Sequence, residues 1–404
     1  MQKVMGSKIT DIKQHNRLLV LRHIATRPMI SRADLAEATG LSKMAVGNMV
    51  DDLMELNLVG ETKISADGSF YGRPPGALYI SEHSPLICGM LIKRSVFQVV
   101  LADLSGSLVG RKEICYGRLV QKEDIADKLV KAYTELMKKQ KRSVIAVGIS
   151  SIGPVDSGRG IILNPPFFQG ISNVEIVRDI QERTELPAFL INDANAGALA
   201  EKLYGDAQDE KNFAYLHIMN GIGLGCVLDN KLYRGNSGQS GEIGHTSINF
   251  MGPRCECGNV GCLELYANVE NLCKRVRELE VILDRPVIPE NGGELGWKAV
   301  VDGANAGNQT AVMALEEFCG YIAYAMTNIL NLLDFSHIIV GYDSSVSGDV
   351  VERLLKSKLE SRALSAAYRG IEVQRSVFGG DAPLIGAIAC IAERIFNMSL
   401  PVIS

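Results

Sequence analysis

The chain has 404 residues, of which 47% are apolar, which is enough for two or three domains with cores of their own. A formal net charge of -4 excludes both a bulk polycation and an acidic tail protein. The nine cysteines are an odd number and lie mostly singly in apolar segments, no signal peptide is recognised, and no apolar run reaches membrane-spanning length. We therefore expect a protein of the reducing cytoplasm.

The charge is uneven along the chain. Residues 1–50 carry eight Lys or Arg against three Asp or Glu. An excess of positive charge in one terminal segment is typical of a nucleic-acid-binding module joined to a globular body. A chance excess on one helical face would give the same count, so this interpretation needs support from the pattern of elements.

That support comes from a predicted helix–turn–helix in the same segment. Apolar residues at helical spacing fill 12–26, and Pro28 ends this helix. A second helix starts after the N-cap candidate Ser31 and stops at Gly40. A third helix opens on Ser42. The side chains that it is expected to turn inward are Val46, Met49, Val50, Leu53 and Leu56.

In a helix–turn–helix protein, the helix after the turn enters the major groove of DNA. The residues predicted to face DNA there are Ser42, Lys43, Met44 and Asn48. Lys43 is the candidate for phosphate or guanine contact, and Asn48 is the candidate for reading a base. A turn signal at 66–69 predicts a β-hairpin wing, and the stiff segment "YGRPPG" would present Arg73 to a narrow minor groove. A generic three-helix bundle with a rigid loop is the alternative.

From about residue 84, strand-like and helix-like segments alternate, which predicts an α/β body. The strand-like runs are "PLICGMLI", "VFQVVLADL", "VIAVGISSIG", "PAFLIND", "FAYLHIM", "LGCVLD" and "HIIVGYD". The helix-like runs are 122–140, 173–184, 194–204, 262–279, 309–333, 347–362 and 382–397. The order of elements from 84 to 205 recurs loosely from 212 onward, so we expect two similar halves with a cleft between them.

The segment "GHTSINFMGPRCECGNVGCLE" concentrates potential metal ligands. Cys255, Cys257 and Cys262 follow His245 at close spacing. Three thiolates and one imidazole complete a tetrahedral shell, for which zinc is the usual ion. Four protein ligands leave no open position, so such an ion would have a structural role. A set of reduced surface thiols without metal is the alternative.

These segments resemble the signatures of the ROK family, which groups repressors and sugar kinases. The resemblance rests on "GEIGH", "CECGNVGCLE", "LINDANAGALAE" at 190–201 and "SSIGPVD" at 150–156. Together with the N-terminal module, it extends over nearly the whole chain and favours the repressor branch, which includes the xylose and N-acetylglucosamine regulators.

The resemblance implies a winged helix–turn–helix domain in 1–82 and a body of two α/β lobes. The first lobe would comprise 83–205 and 381–404. The second lobe, with the zinc site and oligomerisation helices, would comprise 206–380. The implied lobes are actin-like and of the hexokinase type, a fold that is also called ribonuclease H-like.

The resemblance also implies two sets of ligands. Sugar hydroxyls would be held by Asn192, Asp193, Glu242, His245 and Glu264, and zinc by His245, Cys255, Cys257 and Cys262. Such a set suits a sugar, because carboxylates accept hydrogen bonds from hydroxyls and an amide both donates and accepts. For Asn192 and Asp193, capping of the helix that starts at Ala194 is the alternative.

Asp193 matches the general base of the family's kinases, but the phosphate-binding segment does not match. Where those kinases have Asp-x-Gly-Gly-Thr, this chain has Leu91, Ile92, Lys93, Arg94 and Ser95, with no acid for a metal ion. The second nucleotide loop, 220–225, is partly preserved, and a glycine pair is replaced by Gly341-Tyr342. We therefore expect ATP binding to be lost and sugar binding to persist.

The expected protein is a DNA-binding transcriptional repressor of carbohydrate-metabolism genes, and not an enzyme. Its partners would be a double-stranded DNA operator and a sugar or sugar-phosphate effector. Palindromic operators favour a homodimer or a dimer of dimers. An ATP-dependent sugar kinase with an accessory DNA-binding head is the alternative, and regulation by a protein partner is a third hypothesis.

Overall fold

The structure is a computed structural model that describes residues 9–62, 76–116, 121–166, 168–219, 221–287, 293–343 and 345–402. The helices are α1 Ile9–Thr26, α2 Arg32–Thr39, α3 Lys43–Glu55, α4 Asp124–Met137, α5 Ile176–Thr184, α6 Asp193–Tyr204, α7 Val269–Leu283, α8 Trp297–Asn305, α9 Gln309–Leu333, α10 Val350–Glu360 and α11 Ala382–Phe396. The strands are β1 Val59–Glu61, β2 Leu78–Ile80, β3 Leu86–Ile92, β4 Val96–Ala102, β5 Leu108–Cys115, β6 Val144–Ser151, β7 Val155–Asp156, β8 Ile161–Ile162, β9 Ala188–Asn192, β10 Phe213–Ile218, β11 Ile222–Leu228, β12 Lys231–Leu232, β13 His337–Gly341 and β14 Glu372–Arg375.

The chain divides into two compact units. The first consists of the chain through Ile149, of Val177–Phe189 and of the residues from Ala387 onward. The second consists of Ser150–Ile176 and Leu190–Gly386. The first unit includes both the N-terminal helices and part of the α/β body. The three-part domain boundaries expected from the sequence stay a prediction.

The N-terminal helices have the predicted caps. Ser31 forms a capping box with Asp34, and Gly40 ends α2 in the left-handed conformation with a φ of 68°. Ser42 caps α3, and the buried face of that helix consists of Val46, Met49, Val50 and Leu53. The prediction that Leu56 points inward is wrong, because Leu56 follows the last helical residue and is exposed.

Strands β1 and β2 pair antiparallel, from Val59 opposite Ile80 to Glu61 opposite Leu78. They form the base of the predicted hairpin. The turn signal at 66–69 and the stiff segment that contains Arg73 lie outside the described residues.

The two large sheets have the same strand order. The first sheet runs β5-β4-β3-β6-β9, and the second runs β12-β11-β10-β13-β14. In each sheet, the first strand in the sequence lies at the centre and pairs antiparallel with the second. In the second sheet, β10 and β14 both pair parallel with β13. The recurrence of elements inferred from the sequence is thus confirmed as a repeated α/β unit.

Some elements differ from the predictions, and two of them have a clear physical reason. The predicted helix over 262–279 begins only at Val269, because a short 3-10 turn follows Cys262 and Asn268 then caps α7 by accepting from the Asn271 N–H at 2.7 Å. Strand β5 was not predicted, because it is an edge strand with mostly exposed side chains. Among the described helices, none is both long and apolar enough to cross a membrane.

Candidate functional site

The exposed side of α3 carries the residues predicted to read DNA. Lys43, Met44 and Asn48 are exposed, and Met44 is exposed by 78%. The Ser42 hydroxyl accepts from the Ala45 N–H at 3.2 Å, so its oxygen serves as the helix cap. The start of α3 therefore presents a cation, an amide and an apolar side chain, which are suited to phosphate, base edges and thymine methyl groups respectively.

Arg32 is a residue of this module that the sequence analysis did not distinguish from its other cations. Its guanidinium donates to both carboxylate oxygens of Glu61 in β1, at 3.1 and 2.9 Å. It also donates to the Gly47 carbonyl of α3 at 3.4 Å and lies 2.8 Å from Asp51. Arg32 therefore ties α3 to the hairpin base. A second cation, Lys13, pairs with Asp52 at 3.3 Å.

The metal-ligand candidates converge in the second unit. One potential ligand atom from each of His245, Cys255, Cys257 and Cys262 lies within 4.8 Å of all the others. The Cys255 sulfur is 3.7 Å from His245 Nδ1, and the sulfurs of Cys257 and Cys262 are 3.6 Å apart. Zn–S bonds of about 2.3 Å in a tetrahedron place two sulfurs about 3.8 Å apart. The donor set and its spacing therefore fit a closed tetrahedral ion.

The backbone around the cluster explains why these four side chains meet. Arg254 and Val260 form an isolated β-bridge, and the Asn259 side chain donates to the His245 carbonyl at 3.0 Å. Gly261 has a φ of 66°, and a Cβ at this position would lie 1.8 Å from the Asn249 carbonyl oxygen. A glycine is therefore required where the loop passes between the second and third cysteines.

Asn192 and Asp193, at the start of α6, have the capping role that the sequence left open. The Asn192 side-chain oxygen accepts from the N–H groups of Ala194 and Asn195 at 3.0 and 3.2 Å. The Asn192 amide nitrogen donates to Asp193 Oδ1 at 3.1 Å. Capping thus orients both side chains, and it leaves the ligand-binding role of Asp193 a prediction.

Two predicted ligand-binding acids act electrostatically on a third, Glu242. Burial raises the pKa of Glu242 to about 7, and the charges of Asp193 and Glu264 add to this effect. A Cβ on Gly153 would lie 2.8 Å from both Glu242 Oε1 and the Asn192 amide nitrogen. Gly153 therefore permits the backbone to approach these two side chains closely. Glu264 is 7% exposed.

A cavity of about 420 Å³ in the second unit is lined by Glu242 and by two residues of the metal-ligand cluster, His245 and Cys257. Its lining includes Glu242 and His245 together with Asn164, Phe168 and Glu256. The volume is within the range of small-molecule sites. Asn164, Phe168 and Glu256 were not among the predicted site residues. Glu256 lies between two predicted metal ligands, and that position was the available signal.

The turn that the sequence resemblance places at the kinase phosphate loop has contacts within the chain. It is a tight hairpin in which the Lys93 N–H donates to the Val96 carbonyl at 3.0 Å. The Tyr116 hydroxyl donates to the Lys93 carbonyl, and its ring packs 4.1 Å from that of Phe97. The described turn contains no glycine and no acid.

The two other segments that the resemblance relates to nucleotide binding, 220–225 and Gly341-Tyr342, also contain residues that pack within the protein. A Cβ on Gly225 would lie 2.5 Å from the Ala194 carbonyl of α6, so this glycine serves helix packing. Tyr342 is fully buried and donates to Glu352 at 2.6 Å, with the Trp297 ring 5.4 Å away. Tyr342 is therefore a core residue of the second unit.

The fold and these segments define a class of protein. The sequence pattern of the ROK family matches residues 93–394, and the chain belongs to this family.

Two curated relatives are similar over almost their full length. The xylose repressor of Bacillus subtilis (strain 168) is 31% identical over 394 residues, which cover 96% of this chain and 98% of that protein. The DNA-binding transcriptional repressor Mlc of Escherichia coli (strain K12) is 25% identical over 97% of this chain and 96% of that protein. The similarity includes the N-terminal module in both cases.

Solved structures agree with the predicted fold class. A ROK family transcriptional regulator, described as a homologue of E. coli Mlc, matches with a TM-score of 0.77 and 26% identity, over 96% of this chain and 98% of that one. A ROK family glucokinase from Streptomyces griseus, in complex with glucose and AMPPNP, matches with a TM-score of 0.68 and 25% identity, over 76% of this chain and 99% of that one. The expected hexokinase-type body is confirmed.

Proposed function

We propose that this protein is a DNA-binding transcriptional repressor of carbohydrate-metabolism genes, controlled by a sugar or sugar-phosphate ligand in its body. The observation that carries the proposal is the similarity to named repressors over 96% of the chain, including the helix that exposes Lys43, Met44 and Asn48. The closed Lys93–Val96 turn, which lacks both a glycine and an acid, argues against the kinase alternative.

We propose a structural zinc ion for His245, Cys255, Cys257 and Cys262. The three sulfurs would bind as thiolates and the imidazole as a neutral ligand. When bound, the ion supplies a crosslink. This crosslink fixes the turn after Cys262, which carries Glu264, and the segment from Glu242 to His245. The cluster would thereby keep the ligand pocket in shape.

The proposed ligand contacts are Asn192, Asp193, Glu242, His245 and Glu264. Their acids would accept hydrogen bonds from hydroxyls of a sugar ring. Asp193 would bind ligand without acting as a general base. The ligand must prefer one conformation of the body for DNA binding to change. A homodimer on a palindromic operator in the cytoplasm completes the proposal.

Binding of the protein to its own promoter region, followed by fluorescence anisotropy at several salt concentrations, tests the DNA-binding part. Lys43→Ala should weaken binding and reduce the salt slope by about 1, because one phosphate contact is lost. Arg32→Ala should weaken binding with an unchanged slope, because Arg32 positions α3 through Glu61 and Gly47. Binding that does not depend on salt would contradict the proposal.

The kinase alternative has a direct test. Magnesium-dependent release of ADP from ATP, in the presence of a panel of hexoses, should stay at background. Activity that an added sugar stimulates and that Asp193→Asn abolishes would establish the alternative and overturn the assignment as a non-enzymatic regulator.

A further inference from the structure

We propose that Gly47 is a specificity-determining residue, which lets the 5-methyl group of a thymine approach the backbone of α3 in the major groove of DNA. Lys43 and Met44 would border this methyl group on the helix surface. The inference rests on the proposed function, because it specifies which feature of a base pair the DNA-binding helix recognises. It depends on a glycine inside a helix that neither backbone conformation nor packing requires.

Gly47 is a costly residue at its position in the helix. It lies well inside α3, which runs from Lys43 to Glu55. Glycine destabilises a helix interior relative to alanine, because its backbone loses more conformational freedom on folding. Gly47 does not have the positive φ that would favour glycine over other residues. The backbone of α3 therefore gives no reason for a glycine here.

The packing of the protein gives no reason either, because there is room for a side chain. Outside its own helix, the nearest described atom to a Cβ on Gly47 would be Arg32 Nη1, at 3.9 Å. This is an ordinary van der Waals distance, so alanine fits beside Arg32, which donates to the Gly47 carbonyl at 3.4 Å. By contrast, a Cβ on Gly197 of α6 would lie 2.2 Å from the Tyr215 ring.

Gly47 lies beside the residues that are predicted to face DNA. Lys43 and Met44 precede it by four and three residues, so they are its neighbours on the helix surface. Both are exposed, and Met44 is exposed by 78%. The missing side chain therefore leaves a recess that a cation and an apolar chain border. The opposite side of α3 is buried and consists of Val46, Met49, Val50 and Leu53.

The charges of α3 permit DNA to approach the recess. Two acids lie farther along the helix, and each is paired with a cation of another helix. Arg32 of α2 lies 2.8 Å from Asp51, and Lys13 of α1 lies 3.3 Å from Asp52. The exposed Lys43 gives the beginning of α3 the positive charge that contact with phosphates requires.

A thymine methyl group suits a recess of this kind. The first turns of a helix that enters the major groove lie closest to the base edges. There the 5-methyl group of thymine is the feature that apolar side chains contact. The Met44 side chain would contact the methyl group from one side, and the bare backbone of Gly47 would leave space for it. Cytosine has no methyl group and would leave this space unfilled.

A thymine-to-deoxyuridine scan tests the inference, because deoxyuridine lacks only the methyl group. The probes are duplexes that the full-length protein selects from a random-sequence library, and fluorescence anisotropy measures their affinity. For the wild type, we expect deoxyuridine to weaken binding about threefold or more at one thymine of the recognised sequence. Met44→Ala should bind more weakly and should no longer discriminate at that position.

Gly47→Ala is the most informative variant, because its effects on stability and affinity have opposite signs. The added methyl group should stabilise α3, so that its amide hydrogens exchange about three- to fivefold more slowly. Affinity for the selected duplex should fall about tenfold or more, because two methyl groups compete for one space. Deoxyuridine at the same thymine should restore part of this affinity, which reverses the sign of the effect in the wild type.

Gly320→Ala provides a matched control in the second unit. Gly320 also lies inside a helix, α9, and its carbonyl also accepts from an arginine, Arg362, at 3.1 Å. Outside its own helix, no described atom lies within 4 Å of a Cβ at this position. The control should stabilise α9 and leave the affinity for DNA unchanged.

The outcomes separate this inference from the proposed function. If Gly47→Ala loses the same affinity for thymine and deoxyuridine duplexes, Gly47 acts through the position of Arg32 and the inference is wrong. The inference is also wrong if Gly47→Ala binds as the wild type does, or if no thymine in the scan responds. These results leave a DNA-binding repressor intact. If the protein selects no sequence and binds no duplex, the proposed function itself fails.

Discussion

The hairpins β3–β4 and β10–β11 occupy the same position in two sheets of identical strand order, but glycine lies on the first strand of one hairpin and on the second strand of the other. In the first sheet, Gly89 of β3 faces Val100 of β4. In the second, Tyr215 of β10 faces Gly225 of β11. Each glycine makes room for a helix, because a Cβ on Gly89 would lie 2.8 Å from Ile388 of α11 and a Cβ on Gly225 would lie 2.5 Å from the Ala194 carbonyl of α6.

The second hairpin lies beside proposed ligand contacts, and the first does not. The helix beside Gly225 is the one that begins with the proposed ligand contacts Asn192 and Asp193. The turn of the second hairpin also lies beside an acid, because a Cβ on Gly221 would be 3.0 Å from Glu264 Oε2. The turn of the first hairpin instead carries Lys93 and Arg94 and is closed by Tyr116. The two hairpins thus share their strand pairing and differ at their turns.

The largest expected effect is on the metal-ligand cluster, which lies in the same unit as the second hairpin. Cys262→Ser should remove the ion and lower Tm by about 10 °C or more, because structural zinc contributes binding energy directly to folding. Thermal unfolding and measurement of zinc by mass spectrometry check this. The exposed Cys115→Ser, which is outside the cluster, is the control and should change neither quantity.

A smaller effect is expected when the packing of α6 on the second hairpin is disturbed. Gly225→Ala should cost about 1–3 kcal/mol, because the added methyl meets backbone that cannot rotate away. Affinity for the sugar should fall as well, since α6 carries Asp193. Gly370→Ala, where no heavy atom lies within 4 Å of a Cβ, should be nearly neutral. If Gly225→Ala leaves the free energy of unfolding unchanged, α6 does not need this close approach.

These glycines illustrate what the sequence could and could not predict. The caps at Ser31, Gly40 and Ser42, and the spacing of the metal-ligand cluster, are local patterns, and the sequence predicted them correctly. The sequence places Gly225 in a predicted nucleotide loop. From the sequence alone, a glycine that allows a helix to pack closely cannot be distinguished from a glycine that allows a phosphate to approach. Arg32 was counted as one cation among eight, since its contacts with Glu61 and Gly47 depend on folding.

The site residues also fall into two groups, those that a short motif contains and those that only the fold brings together. The acids and metal ligands lie in short motifs, so a family resemblance can locate them. Glu256 and Asn164 line the cavity together although they are distant in the sequence, and no local pattern relates them. Short α8 was not predicted because it spans only nine residues and Gly303, near its end, weakens the helical pattern.

Placing glycine in the first turn tests whether the lack of glycine there would by itself prevent nucleotide binding. The double variant Lys93→Gly, Arg94→Gly should not bind Mg-ATP, because the turn still has no acid for the ion and the Tyr116 hydroxyl still engages the Lys93 carbonyl. We expect a loss of about 1 kcal/mol in stability from the added backbone freedom. Calorimetry with Mg-ATP, with the Streptomyces griseus glucokinase as the positive control, would detect any gain.

The smallest expected effect concerns the polar network that distinguishes α6 from α11. Glu201 of α6 is fully buried and accepts from the Ser376 hydroxyl at 2.5 Å, whereas α11 is mostly apolar. Burial raises the pKa of Glu201 above its ordinary value of 4.5, with a smaller effect from the charge of Asp206. Its favourable contribution is therefore full below pH 4.5 and is lost as the pH rises through the raised pKa.

Glu201→Gln removes this titration and keeps an oxygen that can accept from Ser376. The variant should gain stability relative to the wild type as the pH is raised from 4.5 to 8, and the difference in Tm should change by a few degrees. Comparing the two proteins at each pH cancels the titration of the cysteine thiols, which both share. A difference that is flat with pH would show that folding leaves the pKa of Glu201 unchanged. A variant that loses stability relative to the wild type as the pH is raised would show that folding lowers this pKa. The carboxylate would then be stabilised by its hydrogen-bond donors more strongly than burial opposes it.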